Sequence, residues 1–290
     1  MRRLSRALLV VLLSGSAGCA SHPPEAKIAV VGKSPREASV DRAKAAMRAR
    51  DWTAARDALE RAQLDAATPE EMADVTYWRA TLAAYKGDLA GAARLLEADF
   101  AIWEPARGDA RAYWRLNALT WIDWADHRLE GALERIDRSR AWIASSTLPE
   151  DRKQALLRHY AWDRAYILVD LASASAHAER GAIDGALAAR DAYARMAEGV
   201  DAPSSLDVLD LHVMDLTRDT ARAPAIHARM AGASLDDVQD LYVLHAAQLR
   251  DARFADAAVS EAKITSFPEP YLMHALVVRA MAVGSLDPRP

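Results

Sequence analysis

All eight tryptophans of the chain fall between Trp52 and Trp162, and four of them, Trp103, Trp114, Trp121 and Trp124, crowd one short stretch. At helical spacing Trp114, Ala118, Trp121 and Ala125 share one face, while Tyr113, Asn117, Thr120 and Trp124 share the next. Two such faces on one helix are hard to place together in a hairpin core. Rings in a stripe of this kind either fill helix crossings, as they commonly do, or wall a ligand pocket. Arginine supplies 31 of the 37 basic residues, and Arg79, Arg111, Arg115, Arg158 and Arg164 fall on the expected first helices of helical pairs. A guanidinium fork matches a carboxylate bidentately, which suits an acidic peptide tail or a small acid; ordinary pairing with the abundant Asp and Glu is the competing use. The candidate binding surface is therefore Trp103, Arg111, Tyr113, Trp114, Arg115, Asn117, Trp121, Trp124, Arg158 and Arg164.

Nucleophilic and metal chemistry find no comparable support. The eight histidines form no HExxH or other ligand cluster at helical spacing, and His212 with Asp215 is a weak pair. No serine lies in a GxSxG elbow. Gly32, Lys33 and Ser34 resemble the end of a phosphate-binding loop, but Lys27 stands where the loop needs glycine and Pro35 follows directly. The reading is of a protein that is not an enzyme, with no catalytic residue, metal or cofactor.

Arg2, Arg3 and Arg6 precede the apolar run 7–13 and then small residues up to Cys19, the arrangement of a secretory signal peptide. Ala17 and Gly18 before the only cysteine resemble the lipobox of bacterial lipoproteins, although Ser16 stands where that family usually has Leu. The resemblance implies that residues 1–18 are removed and that Cys19 carries the lipid; a plain signal peptide with an incidental cysteine is the alternative. Ala20 rather than Asp after the cysteine is similar to the outer-membrane class, implying an outer-membrane protein anchored by lipid and facing the periplasm. Loss of Arg2, Arg3 and Arg6 takes the 37 basic residues to 34 against 41 acidic ones, a net of −7, which argues against nucleic acid as a partner. With Cys19 lipidated no thiol remains, and packing alone must hold the domain.

Residues 19–34, with Pro23, Pro24 and Gly32, read as the lipidated cysteine and a flexible tether; the folded domain spans 35–285, and 286–290 form a tail. Within the domain, apolar spacings of three and four predict an all-α fold. Helix starts are marked at Thr68 with Pro69 and Glu71, at Ser204 with Asp207, and at Ser234 with Asp237. Turns are expected at Arg50-Asp51, Gly87-Asp88, His127-Arg128, Gly181-Ala182 and Ala252-Arg253. One long helix should run from about Pro149 to Arg180.

Several of these hairpins resemble the tetratricopeptide repeat. Ala43, Ala55, Leu59 and Ala62 occupy its small and large sites in a first unit, Ala80, Gly87, Ala92 and Leu96 in a second, and Leu119, Ala132, Ile136 and Ser139 in a third. The resemblance implies an irregular α-solenoid of about six helical hairpins plus a C-terminal helix, with a concave groove. Residues 271–283 are apolar nearly all round, so either earlier helices wrap that last helix or it offers a face for docking or self-association. The expected function is a scaffold or assembly adaptor binding an envelope protein or peptide segment. The alternative is a periplasmic small-ligand binder, similar to tetratricopeptide lipoproteins associated with TRAP-type transporters, with an aromatic and arginine pocket. A closed aromatic cavity favours the second and an open groove the first.

Overall fold

A computed structural model describes residues 33–103, 110–174, 180–200, 203–217, 219–231, 238–267 and 271–284. The signal segment, Cys19, most of the tether and the tail lie outside the described residues. So do the side chains of Trp103, Arg111 and Trp114, and the Ser234 helix start. Among the described residues the fold is all-α: thirteen helices and no strand. They are α1 (Pro35–Arg48), α2 (Trp52–Leu64), α3 (Pro69–Tyr85), α4 (Leu89–Trp103), α5 (Ala110–Ala125), α6 (Leu129–Ala144) and α7 (Glu150–Ala174). There follow α8 (Arg180–Ala197), α9 (Pro203–Thr217), α10 (Ala223–Ala231), α11 (Val238–Arg250), α12 (Phe254–Thr265) and α13 (Leu272–Gly284).

Local chemistry explains where the helices begin. Ser34 accepts from the Glu37 amide at 3.2 Å while the Glu37 carboxylate accepts from the Ser34 amide at 2.8 Å, with Pro35 at the first position. Thr68 caps α3 in the same sense through the Glu71 amide, again with proline next. Four turns share one geometry. Arg50, Gly87, His127 and Ala252 have φ of 57°, 83°, 57° and 56°, and each is followed by an amide that reaches back five residues to a helix carbonyl. Those bonds run from Asp51 to Ala46, Asp88 to Ala83, Arg128 to Asp123 and Arg253 to Gln248, at 2.8–2.9 Å. Only one of the four turns uses glycine, and there a second reason exists, because a Cβ on Gly87 would stand 2.8 Å from Arg279 Nη1.

Three sequence expectations shift. Gly181 and Ala182 lie inside α8 rather than in a turn; residues 175–179 lie outside the described residues. The long helix ends at Ala174, not Arg180, and α9 begins at Pro203, so that Ser204 is already helical.

Consecutive helices pack as pairs, α1 with α2 through α11 with α12, and α7, α9 and α11 also meet in succession. The last helix does not form a further pair with α12. It turns inward and packs chiefly against α3, α5 and α11. Leu276 and Val277 are completely buried there, while Val278 to Met281 are partly exposed and Ala282 is exposed, so earlier helices cover the first half of the apolar segment. His274 fixes its position: Nε2 donates to the Ile264 carbonyl at 2.9 Å, leaving Nδ1 to accept from the Tyr85 hydroxyl at 2.5 Å. This closure explains α5 as well. Every described side chain from Arg115 to Trp124 is buried, so both faces are packed over that stretch. The expectation that two such faces could not both be core fails because α5 has neighbours on all sides: α4, α6 and, across the interior, α13.

Candidate functional site

Between the inner helices and α13 lies a cleft of about 440 Å³. That is within the range of small-molecule sites, roughly 300–1,000 Å³. The α3 wall carries Glu70, Asp74 and Tyr77, which helical spacing places on one face. Asn117, Ala118 and Trp121 form the α5 wall, His159 comes from α7 and Gln239 from α11. The α13 side is apolar, with Leu272, Met273 and Leu276. The result is an oily body with a few convergent polar groups, the general character of a ligand site.

Of the sequence-derived candidates, the structure brings Arg115, Asn117 and Trp121 to this cleft. Trp121, 2% exposed, presents little more than an edge and packs edge-on against Trp124 and Tyr166 at centroid distances of 5.4 and 5.6 Å. Trp124 belongs to the core. Its indole donates to Asp170 Oδ2 at 2.6 Å, and the other oxygen of Asp170 lies 2.9 Å from His212 Nε2. His212 thus pairs across α7 and α9; the side chain of Asp215 lies outside the described residues. Tyr113 is also core, 1% exposed and edge-on to Tyr160 at 5.2 Å, and burial pushes its hydroxyl pKa well up. Arg164 lies 3.7 Å from Asp137 of α6, while Arg158 is half-buried; neither lines the cleft. Arg79 points to α2, donating to Gln63 at 2.8 Å.

The arginine that does reach the cleft is already committed. Arg115 Nε donates to Asp99, with both side chains buried, and Nη2 donates to the Ala73 carbonyl at 2.8 Å. Its guanidinium carbon also lies 5.6 Å from the centre of the Tyr77 ring. This ion pair ties α3, α4 and α5 together. Removing one partner of such a pair strands a buried charge, typically at a cost of about 3–5 kcal/mol.

Asn117 is differently placed. Its Nδ2 donates to Asp163 Oδ2 at 2.9 Å and lies 3.2 Å from His159 Nε2. The carboxylate accepts only, which fixes the nitrogen on that side and turns Oδ1 away from it. Asp163 itself stands 3.5 Å from the imidazole.

Sequence reasoning missed Tyr77, His159, Gln239 and the α13 wall. Only His159 with Asp163 carried a local signal, an i,i+4 pair on α7. A second hollow, among Asp123, Arg128, Gly131, Glu134, Arg135 and Arg138, is a charged surface feature. There Arg128 and Arg135 both close on Asp123. Among the described residues no group of three or more His, Cys, Asp or Glu is arranged to hold a metal, and no helix is long and apolar enough to cross a membrane. No protein-family model, curated protein or solved structure matches the chain.

Proposed function

We propose that the protein is a lipid-anchored envelope protein that holds a small ligand inside an irregular, tetratricopeptide-like helical solenoid. The observation that carries this reading is the position of α13. It fills the interior where an open groove would have received a polypeptide, and it leaves a bounded cleft of about 440 Å³ with an oily wall. The signal-like segment ending at Cys19 supports delivery to the outer membrane, facing the periplasm. Ligand capture for a transporter of the TRAP type fits such an address. A scaffold or assembly adaptor is the second reading. It would work through the outer surface, where Leu64, Ile102 and Phe254 stand exposed.

The test is a fluorescence titration of the full chain with the neutral arylamine N-phenyl-1-naphthylamine. Saturable binding is expected, weakened by Met273→Trp, which fills the cleft, and retained by Met273→Ala. Binding that both variants leave unchanged, with cooperative melts intact, would refute the cleft as the site.

A further inference from the structure

Arginine and tryptophan in one region suggest the capture of an acid, but the balance of formal charge on the cleft wall is acidic, Glu70 and Asp74 against Arg115. Arg115 is the only Arg or Lys among the described lining residues. Its charge is neutralised by buried Asp99, and its Nη2 is held by the Ala73 carbonyl. An incoming carboxylate would therefore have to displace an existing partner of that guanidinium. The other fixed charges on the wall are the carboxylates of Glu70 and Asp74, one turn apart on α3. Asp74 is also reached by Arg36 from outside, at 2.5 Å, and its second oxygen is still an acceptor.

The independent observation is Asn117. It is nine-tenths buried, lines the cleft, and has its amide nitrogen engaged by Asp163 and His159. No donor among the described residues reaches Oδ1, which is left to face the cleft. An amide oxygen left accessible on the wall can accept from a ligand that brings its own N–H or O–H. Two carboxylates and an amide oxygen stand around an aromatic and aliphatic floor, with the Gln239 amide beside them. Tyr77, with Arg115 already over its ring, and the edge of Trp121 add apolar surface for the body of a ligand.

Resting on the cleft reading above, we infer that the ligand is a small amine, an ammonium carried on an aromatic or aliphatic arm, and not a carboxylic acid. The ammonium donates to Asn117 Oδ1 and is attracted by Glu70 and Asp74. The arm lies against Trp121, Met273 and Leu276. Nothing in this arrangement involves bond making; the site binds and releases.

Calorimetric titration of the full chain with tryptamine, tryptophol and indole-3-acetate tests the charge preference on one indole body, and phenethylamine with phenylacetate repeats it on a smaller arm. The amines should bind tightest and the acids weakest. Glu70→Gln, at an exposed helix start, should weaken tryptamine about tenfold, the scale of one charge-assisted contact, and leave tryptophol unchanged. Asn117→Leu should weaken both donors. Acids binding as tightly as amines, with N-phenyl-1-naphthylamine still bound, would overturn the ligand class and leave the cleft reading standing. Failure of the neutral arylamine and of the whole panel at millimolar concentration would overturn both.

Discussion

Helix α6, on the outside, and helix α13, on the inside, solve the problem of burial in opposite ways. On α6 Leu129, Ala132, Ile136, Ser139 and Ile143, with Trp142 beside the last, form a buried stripe at spacings of three and four, and Glu130, Glu134, Asp137 and Arg140 face water between them. On α13 buried positions run together, from Leu272 and His274 through Val277, because α3, α11 and α5 approach from different sides. An outer helix needs one apolar stripe, whereas an inner helix needs an apolar perimeter, so the width of the stripe reports the layer. Helix α5 obeys the second rule despite its arginine, aspartate and asparagine, because Arg115, Asp123 and Asn117 each have a polar partner in Asp99, Arg135 and Asp163.

Breaking an inner pair should do the most damage. Asp99→Ala leaves Arg115 buried without its carboxylate, and urea unfolding should show a loss of about 3–5 kcal/mol. Leu276→Ala, at a completely buried α13 position, should cost about 3 kcal/mol by the same measurement. By contrast Glu134→Ala on the outer face of α6 should stay within about 0.5 kcal/mol. Equal effects of the last two substitutions would erase the distinction between layers.

The latch on α13 adds a pH dependence. Burial lowers the His274 pKa below its ordinary 6.5, outweighing the hydrogen bond from its ring to Ile264. The unfolded chain therefore takes up this proton first. The associated stability is complete above about pH 6.5 and falls as the pH drops toward the folded value. His274→Asn should flatten that part of a stability profile measured between pH 7.5 and 5, with Tyr85, Phe267 and the more distant Arg50 as the surrounding groups. A profile unchanged by the substitution would assign the acid sensitivity elsewhere.

A smaller effect than the loss of an inner contact belongs to the outer turns. His127 holds φ of 57° without being glycine, and His127→Gly should raise stability by about 0.5–1 kcal/mol in thermal melts. Gly87→Ala should go the other way, since both the backbone and Arg279 oppose a Cβ.

The legible parts of this fold were those written over a few residues. Thr68-Pro69 with Glu71 marks a start, and Arg50-Asp51, Gly87-Asp88, His127-Arg128 and Ala252-Arg253 mark stops; each stop is a single left-handed residue and a back-reaching amide. Gly181 misled because a small residue near a helix start resembles a turn in sequence, yet nothing lies within 4 Å of the space its Cβ would take. For the site, Arg115, Asn117 and Trp121 were visible as residue types, but their roles were not. Whether Arg115 can hold a carboxylate depends on Asp99, one helix earlier, and whether Asn117 is engaged depends on Asp163, two helices later.

The sequence by itself determined the all-α class, most helix boundaries and the amphipathic faces of the outer helices. These follow from capping, backbone conformation and periodic burial, which act within about five residues. Only the tertiary structure decided that α13 folds back into the interior, through contacts such as Tyr85 with His274, and so decided that a cleft exists. An all-round apolar helix is compatible with any apolar neighbour, and the choice among neighbours is made by shape and by the pairing of a few buried polar groups across the whole chain.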